Sequence, residues 1–142
     1  LNTIRRIHVM VPLKANKEEG FVRWLNHVLR LGRQLDCLIV FYCDEEAWVR
    51  IHKRWSQHYG KVKVRHQQFA AYSEMVALKH TIDESHLVVF IASRSGAPSY
   101  HPTMMNLPSI VGRHFTDNSV MIIYPDQYGI EKRLTAFNTG LK

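Results

Sequence analysis

The chain has 142 residues, of which 46% are hydrophobic, so its length and composition fit one domain with one substantial core. No apolar run approaches the ~20 residues of a membrane-spanning helix, and the N-terminus lacks the apolar core of a signal peptide, so we expect a soluble chain. The formal net charge of +7 favours anionic partners, either nucleic acid or an anionic membrane surface.

Apolar runs and amphipathic stretches alternate along the chain. The apolar positions of the first strand follow a period of two, and those of the first helix recur at helical spacing. The predicted elements, in chain order, are strand Arg6–Val11, helix Lys17–Leu35, strand Cys37–Cys43, a helix capped by Asp44 and ending near Tyr59, strand Lys61–His66, helix Ala70–Ile82, strand His86–Ala92, helix Leu107–Phe115 and strand Ser119–Tyr124.

Local signals predict where the helices begin and end. Asn16 precedes Glu19 by three residues, a spacing that resembles a capping box for the first helix. Asp44 is a typical N-cap for the second helix, and Gly60 is expected to end it.

Strands that alternate with helices predict an α/β fold with a parallel sheet and right-handed crossovers. The basic, alternating strand Lys61–His66 is typical of a sheet edge, whereas the other early strands are apolar enough for the interior. A five-stranded open sheet with order 3-2-1-4-5 and helices on both faces, a Rossmann-like arrangement, satisfies these constraints. Residues 1–129 form the predicted domain, and residues 130–142 a C-terminal tail without a predicted element.

In such a sheet, ligands bind at the carboxyl ends of the strands where the winding reverses, here between the first and fourth strands. The loops expected to meet there supply Lys14, Asn16, Ser93, Arg94, Ser95 and Gly96, and Asp44 ends the neighbouring second strand. These residues form a candidate anion or nucleotide site. Arg94 could bind a phosphate in a bidentate manner, and the alternative is an ordinary turn at a strand end.

The order of elements resembles the universal stress protein fold. That family usually carries an acid just after the first strand, which contacts adenine, but the corresponding residues here run Val11-Pro12-Leu13-Lys14. Its ATP-binding members follow the fourth strand with a Gly-x-x-Gly-x9-Gly-Ser/Thr pattern, of which Gly96 alone matches. We therefore expect no cofactor at this degenerate nucleotide site, and weak ATP or AMP binding at most.

A closer resemblance covers residues 1–129. The phrases LNTIRRIHVMVPLKANKEEGFVRWLNH, IASRSGAPSYHP, LPSIVGRHF and NSVMIIYPDQYG are similar to the cytosolic C-terminal domain of bacterial monovalent cation (sodium):proton antiporters. The resemblance implies a regulatory or dimerising domain at the cytoplasmic face of the inner membrane, attached to a transmembrane antiporter domain in the same chain. The start at Leu1 rather than methionine is expected of such a fragment.

No catalytic constellation is present, so we predict a non-enzymatic domain. A stand-alone nucleotide-binding universal stress protein is the alternative. We predict no nucleic-acid partner, because no recognition helix or RNA motif accompanies the positive charge, whereas an anionic lipid surface would suit it. The apolar last strand is exposed at a sheet edge in this order, which predicts a homodimer through that strand or residues 125–129.

Cysteine and histidine spacing predicts no metal site. Cys37 and Cys43 bracket one strand, too far apart to bridge, so we expect free thiols in a reducing compartment. The nine histidines show no ligand motif, and we expect most of them at the surface. A histidine-rich domain on a proton-coupled transporter also invites a role in sensing pH.

Overall fold

Strands and helices alternate along residues 4–69 and 72–125, the part of the chain described by a computed structural model of the protein. The elements are β1 (Arg6–Met10), α1 (Phe21–Leu35), β2 (Leu38–Cys43), α2 (Glu45–His58), β3 (Val64–Gln68), β4 (His86–Ile91), α3 (Leu107–His114) and β5 (Ser119–Ile123). Short 3-10 helices span Ala15–Lys17, Tyr72–Thr81 and Pro102–Asn106. Each predicted strand is found, although the ends of most elements differ from the sequence-based bounds.

The five strands form one parallel sheet with the order β3-β2-β1-β4-β5, which confirms the predicted topology. β1 is central, and its Ile7 pairs with Ile39 of β2 and Leu87 of β4. The chain winds from β1 towards β3 in one direction and from β4 to β5 in the other. The crevice where the winding reverses therefore lies at the carboxyl ends of β1 and β4.

Alternate residues of the strands form two separate cores, one on each face of the sheet. Ile7, Val9 and Val11 lie on the face covered by α1 and α2, as their spacing predicted. Met10 and Phe90 lie on the opposite face, against the 3-10 segments and α3. β4 is buried along its whole length because both of its faces are covered.

α1 begins four residues later than predicted, and the capping box is wrong. Gly20 occupies the N-cap, while Asn16 lies in the preceding 3-10 turn and Glu19 is exposed. Lys14 adopts a left-handed conformation with φ 66°, which turns the chain after β1 before a helix can start. The predicted apolar stripe is nevertheless correct, since its residues from Phe21 to Gly32 are buried.

Two further predicted elements differ from the structure. The third helix is a 3-10 helix, Tyr72–Thr81, rather than an α-helix. β3 begins at Val64 instead of Lys61 because the preceding residues form a turn. In that turn the Trp55 indole donates to the Val62 carbonyl over 2.7 Å, and the Val62 N–H donates to the Tyr59 carbonyl. Those polar groups are therefore unavailable for pairing with β2.

The two cysteines are buried and free, as expected from their spacing. Among the described residues, no helix is both long and apolar enough to cross a membrane. The predicted boundary between residues 129 and 130, and the predicted tail, lie outside the described residues.

Candidate functional site

A crevice lies at the carboxyl ends of β1 and β4, where this topology places ligands. Its volume is about 190 Å³, whereas typical ligand pockets measure ~300–1,000 Å³. The lining residues come from the loops after the two strands and are Pro12, Leu13, Lys14, Pro98, Ser99, Tyr100 and His101. A small group fits within this volume, and a larger ligand would extend from the open crevice into solvent.

A carboxylate of the chain itself joins the two loops beside this crevice. Glu18 Oε1 accepts a hydrogen bond from the backbone N–H of Ser99 over 2.9 Å, and both residues are buried. In phosphate-binding folds, backbone N–H groups at this edge of the sheet face the anion. Here the Ser99 N–H is bonded to the Glu18 side chain and is therefore not available to a ligand in this arrangement.

Lys14 is the member of the predicted site that lines the crevice. Its side chain is exposed, and its left-handed backbone places it on the turn that leaves β1. Across the crevice, His101 Nδ1 accepts from the Thr103 N–H over 3.1 Å and caps the following 3-10 helix. The proton of the neutral His101 ring is therefore on Nε2.

Asn16 and Asp44 are directed to α2 and not to the crevice. Asn16 donates to Glu46 Oε1 over 3.3 Å, and its backbone carbonyl accepts from the Arg50 guanidinium. Asp44 accepts from the Ala47 N–H over 3.0 Å, which confirms it as the N-cap of α2. Both side chains are thus used to hold the start of α2.

The loop after β4 does not form a phosphate cradle among the described residues. The buried Ser93 hydroxyl donates to the sulfur of Met104 over 3.3 Å. The Ala97 N–H donates to the Arg94 carbonyl over 3.1 Å, and Gly96 supplies the positive φ of 96° that this turn requires. The Arg94 guanidinium lies 5.3 Å from the Tyr124 ring centre, and Ser95 is exposed. Residues 93–96 form a turn after β4, and they are not among the residues that line the crevice with Lys14.

Two histidines are exceptions to the expected surface location and form a buried polar chain. His8 and His86 are 1% and 8% exposed, and His8 Nε2 lies 2.8 Å from His86 Nδ1. On one side, His8 Nδ1 lies 2.8 Å from the Tyr42 hydroxyl. On the other, His86 Nε2 lies 3.4 Å from a carboxylate oxygen of the exposed Asp83. The chain thus connects the interior of one sheet face to the surface.

The hydrogen-bond directions in this chain follow from one backbone contact. The Asp83 N–H donates to His86 Nδ1 over 3.4 Å, so that nitrogen must accept. His8 Nε2 then donates to the same nitrogen, and His8 Nδ1 accepts from the Tyr42 hydroxyl. In this arrangement each neutral imidazole has one donor and one acceptor nitrogen, and the Nε2–H of His86 is directed towards Asp83.

Burial also disfavours the charged form of both rings. Desolvation, with smaller contributions from His86 and Arg6, lowers the pKa of His8 from 6.5 to about 4. Desolvation lowers the pKa of His86 as well, although the nearby Asp83 carboxylate opposes this effect. Sequence inspection missed this pair because the histidines are 78 positions apart along the chain. The available signal was their positions on two strands that the sequence predicted to be neighbours, with His8 third in β1 and His86 first in β4.

Within residues 4–69 and 72–125, no group of three or more His, Cys, Asp or Glu side chains could hold a metal ion. Comparison with family models, with curated proteins and with solved structures found no match to the chain.

Proposed function

We propose that this chain is a non-catalytic regulatory or dimerisation domain of a monovalent cation:proton antiporter, located at the cytoplasmic face of the membrane. One observation supports the proposal that the domain is non-catalytic. The Ser99 N–H is bonded to Glu18 at the edge of the sheet where this topology places a ligand, and the crevice beside it measures about 190 Å³. The antiporter part is supported by the resemblance of residues 1–129 to the cytosolic domains of such transporters.

A non-catalytic domain of this kind acts on the part of the chain to which it is attached, or on a partner that it contacts. Its β5 is an edge strand with apolar side chains, and Met121 and the following Tyr124 are 42% and 43% exposed. Unpaired strand edges bind other strands readily. We therefore propose a two-fold dimer through β5 or residues 125–129, with the transmembrane part of the same chain as the other partner.

The reading frame that contains Leu1 tests the antiporter proposal. We expect it to encode roughly ten or more apolar segments of ~20 residues before Leu1. A frame that begins within a few residues of Leu1 would contradict the proposal and favour a stand-alone universal stress protein.

Light scattering on the purified chain tests the dimer. The expected mass at high protein concentration is twice 16.6 kDa. A strict monomer over the whole concentration range would overturn this part of the proposal while leaving the antiporter assignment to be judged by the gene.

A further inference from the structure

An open groove of about 650 Å³ runs between α1 and β5 on the face of the sheet that α1 and α2 cover. Its apolar walls are formed by Trp24, Val28 and Leu31 of α1 and by Met121 and Ile123 of β5. Right-handed crossovers place α1 and α2 on one face of the sheet and α3 on the other, so none of the described helices lies over this side of β5. The groove is therefore a consequence of the strand order.

The groove has the size of a ligand site and an elongated shape. Its volume lies within the range of ~300–1,000 Å³ that is typical of small-molecule pockets. It extends along α1 from Trp24 to Gln34, a distance of ~15 Å at the rise of an α-helix. A linear apolar chain fits a groove of this shape better than a compact ring system does.

Polar side chains of α1 form a rim beside the apolar walls. His27, Arg30 and Gln34 line the groove and follow one another along the helix at spacings of three and four residues, so they share one side of it. Arg30 Nη2 donates to His27 Nδ1 over 3.2 Å, and the His27 ring therefore carries its proton on Nε2. Both side chains are exposed. The pair thus offers N–H donors and the positive charge of Arg30 to an occupant.

The charge of this rim favours an anionic occupant. Among the described residues that line the groove, none is acidic. α1 contains three arginines and no acidic residue, and β5 contains no charged residue. An anionic group at Arg30 would gain charge-assisted hydrogen bonds. An apolar chain attached to it would remove from water the surfaces of the half-buried Leu31 and of Met121, which is 42% exposed.

We propose that the groove binds a long-chain fatty acid, with the acyl chain between α1 and β5 and the carboxylate at Arg30 and His27. A single-chain ligand suits the site better than a bilayer surface, because the apolar residues line a groove between two elements rather than a protruding face. The fatty-acid site does not depend on the antiporter assignment, since every residue that forms it belongs to the described domain.

Calorimetric titration of the full chain with laurate, kept below its critical micelle concentration, tests the ligand class. We expect a Kd on the order of 10 μM. Binding should tighten from octanoate to laurate by up to roughly fourfold for each added methylene. Dodecyltrimethylammonium, which has the same chain length and a cationic head, should not bind. Equal binding of the two amphiphiles would show apolar adsorption only, and no binding of laurate would leave the groove to a macromolecular partner. Either result overturns the proposal.

A pair of arginine variants tests the position of the carboxylate. Arg30→Gln should weaken laurate binding roughly tenfold, because the charged donor at the rim is lost. The matched control is Arg113→Gln, at an exposed arginine of α3 on the other face of the sheet, and it should leave the Kd unchanged. Equal weakening by the two variants would show that net charge alone attracts the anion, and it would overturn the proposal.

Methyl NMR of the methionines tests the position of the acyl chain without any substitution. Laurate should shift the methyl resonance of Met121, which lines the groove. It should leave that of Met105 unchanged, although Met105 is 76% exposed and therefore more accessible to nonspecific binding. Equal shifts of the two resonances, or a shift of Met105 alone, would place the chain elsewhere and overturn the proposal.

Discussion

Replacement of His8 by glutamine should remove much of the acid sensitivity of the fold. His8 is neutral in the folded chain, with a pKa of about 4, and titrates with a pKa of 6.5 when unfolded. The unfolded state therefore binds more protons between these values, so the stability is full above pH 6.5 and falls as the pH drops towards 4. At about 1.4 kcal/mol per pH unit, the loss from His8 alone is roughly 3 kcal/mol.

Glutamine can accept from Tyr42 and donate to His86 but cannot titrate. We expect His8→Gln to lower the free energy of unfolding by about 1 kcal/mol at pH 7, because the geometry of one native hydrogen bond is lost. At pH 4 the order should reverse, with the variant more stable than wild type by ~2 kcal/mol. Urea unfolding at several pH values between 7 and 4 measures both differences.

The carboxylates titrate in both wild type and His8→Gln, so their contribution cancels when the two profiles of unfolding free energy against pH are subtracted. The remaining difference comes from His8. Parallel profiles for wild type and His8→Gln would refute the reasoning, because they would mean that His8 has the same pKa in both states.

The remaining predictions concern packing and capping, and urea unfolding at pH 7 measures each of them. Gly32→Ala should cost about 1–3 kcal/mol by overpacking, since the new Cβ would lie 2.4 Å from Ile39 Cδ1 and 2.8 Å from Cγ1 in the buried core. Gly112→Ala is its matched control, because no atom lies within 4 Å of its Cβ, and it should stabilise α3 by up to about 1 kcal/mol. Asp44→Ala should cost about 1 kcal/mol through loss of the cap on Ala47, while Asp44→Asn should cost much less. Equal changes in stability for Gly32→Ala and Gly112→Ala would contradict the overpacking argument. Equal changes for Asp44→Ala and Asp44→Asn would contradict the capping argument.

The sheet could be predicted because hydrophobic pattern and chain order suffice to determine it. Continuous apolar runs such as the one ending in Cys43 indicate interior parallel strands. The right-handedness of the connections between parallel strands then leaves few possible strand orders. Helix starts were harder, because competing side-chain contacts decide them. Asp44 caps α2 as predicted, whereas the acid that matters before α1 is Glu18, which binds Ser99 far along the chain.

The position of the crevice could be predicted from the sequence, whereas most of the residues that line it could not. Topology locates the crevice at the ends of β1 and β4, and Lys14 does line it. The directions of the Ser93 and Asn16 side chains depend on Met104 and Glu46, which come from other parts of the chain. Such long-range contacts leave no local pattern in a single sequence, and the same holds for the buried pair of His8 and His86.

Calorimetric titration of the chain with ATP and with AMP tests most directly whether the crevice at the carboxyl ends of β1 and β4 binds a nucleotide. Because Glu18 occupies the Ser99 N–H and the loop after β4 has one glycine where several would be needed for close backbone approach, we predict Kd values weaker than about 100 μM for both nucleotides. Micromolar binding that Lys14→Ala weakens would place a nucleotide in the crevice, and it would contradict the prediction that the nucleotide site is degenerate.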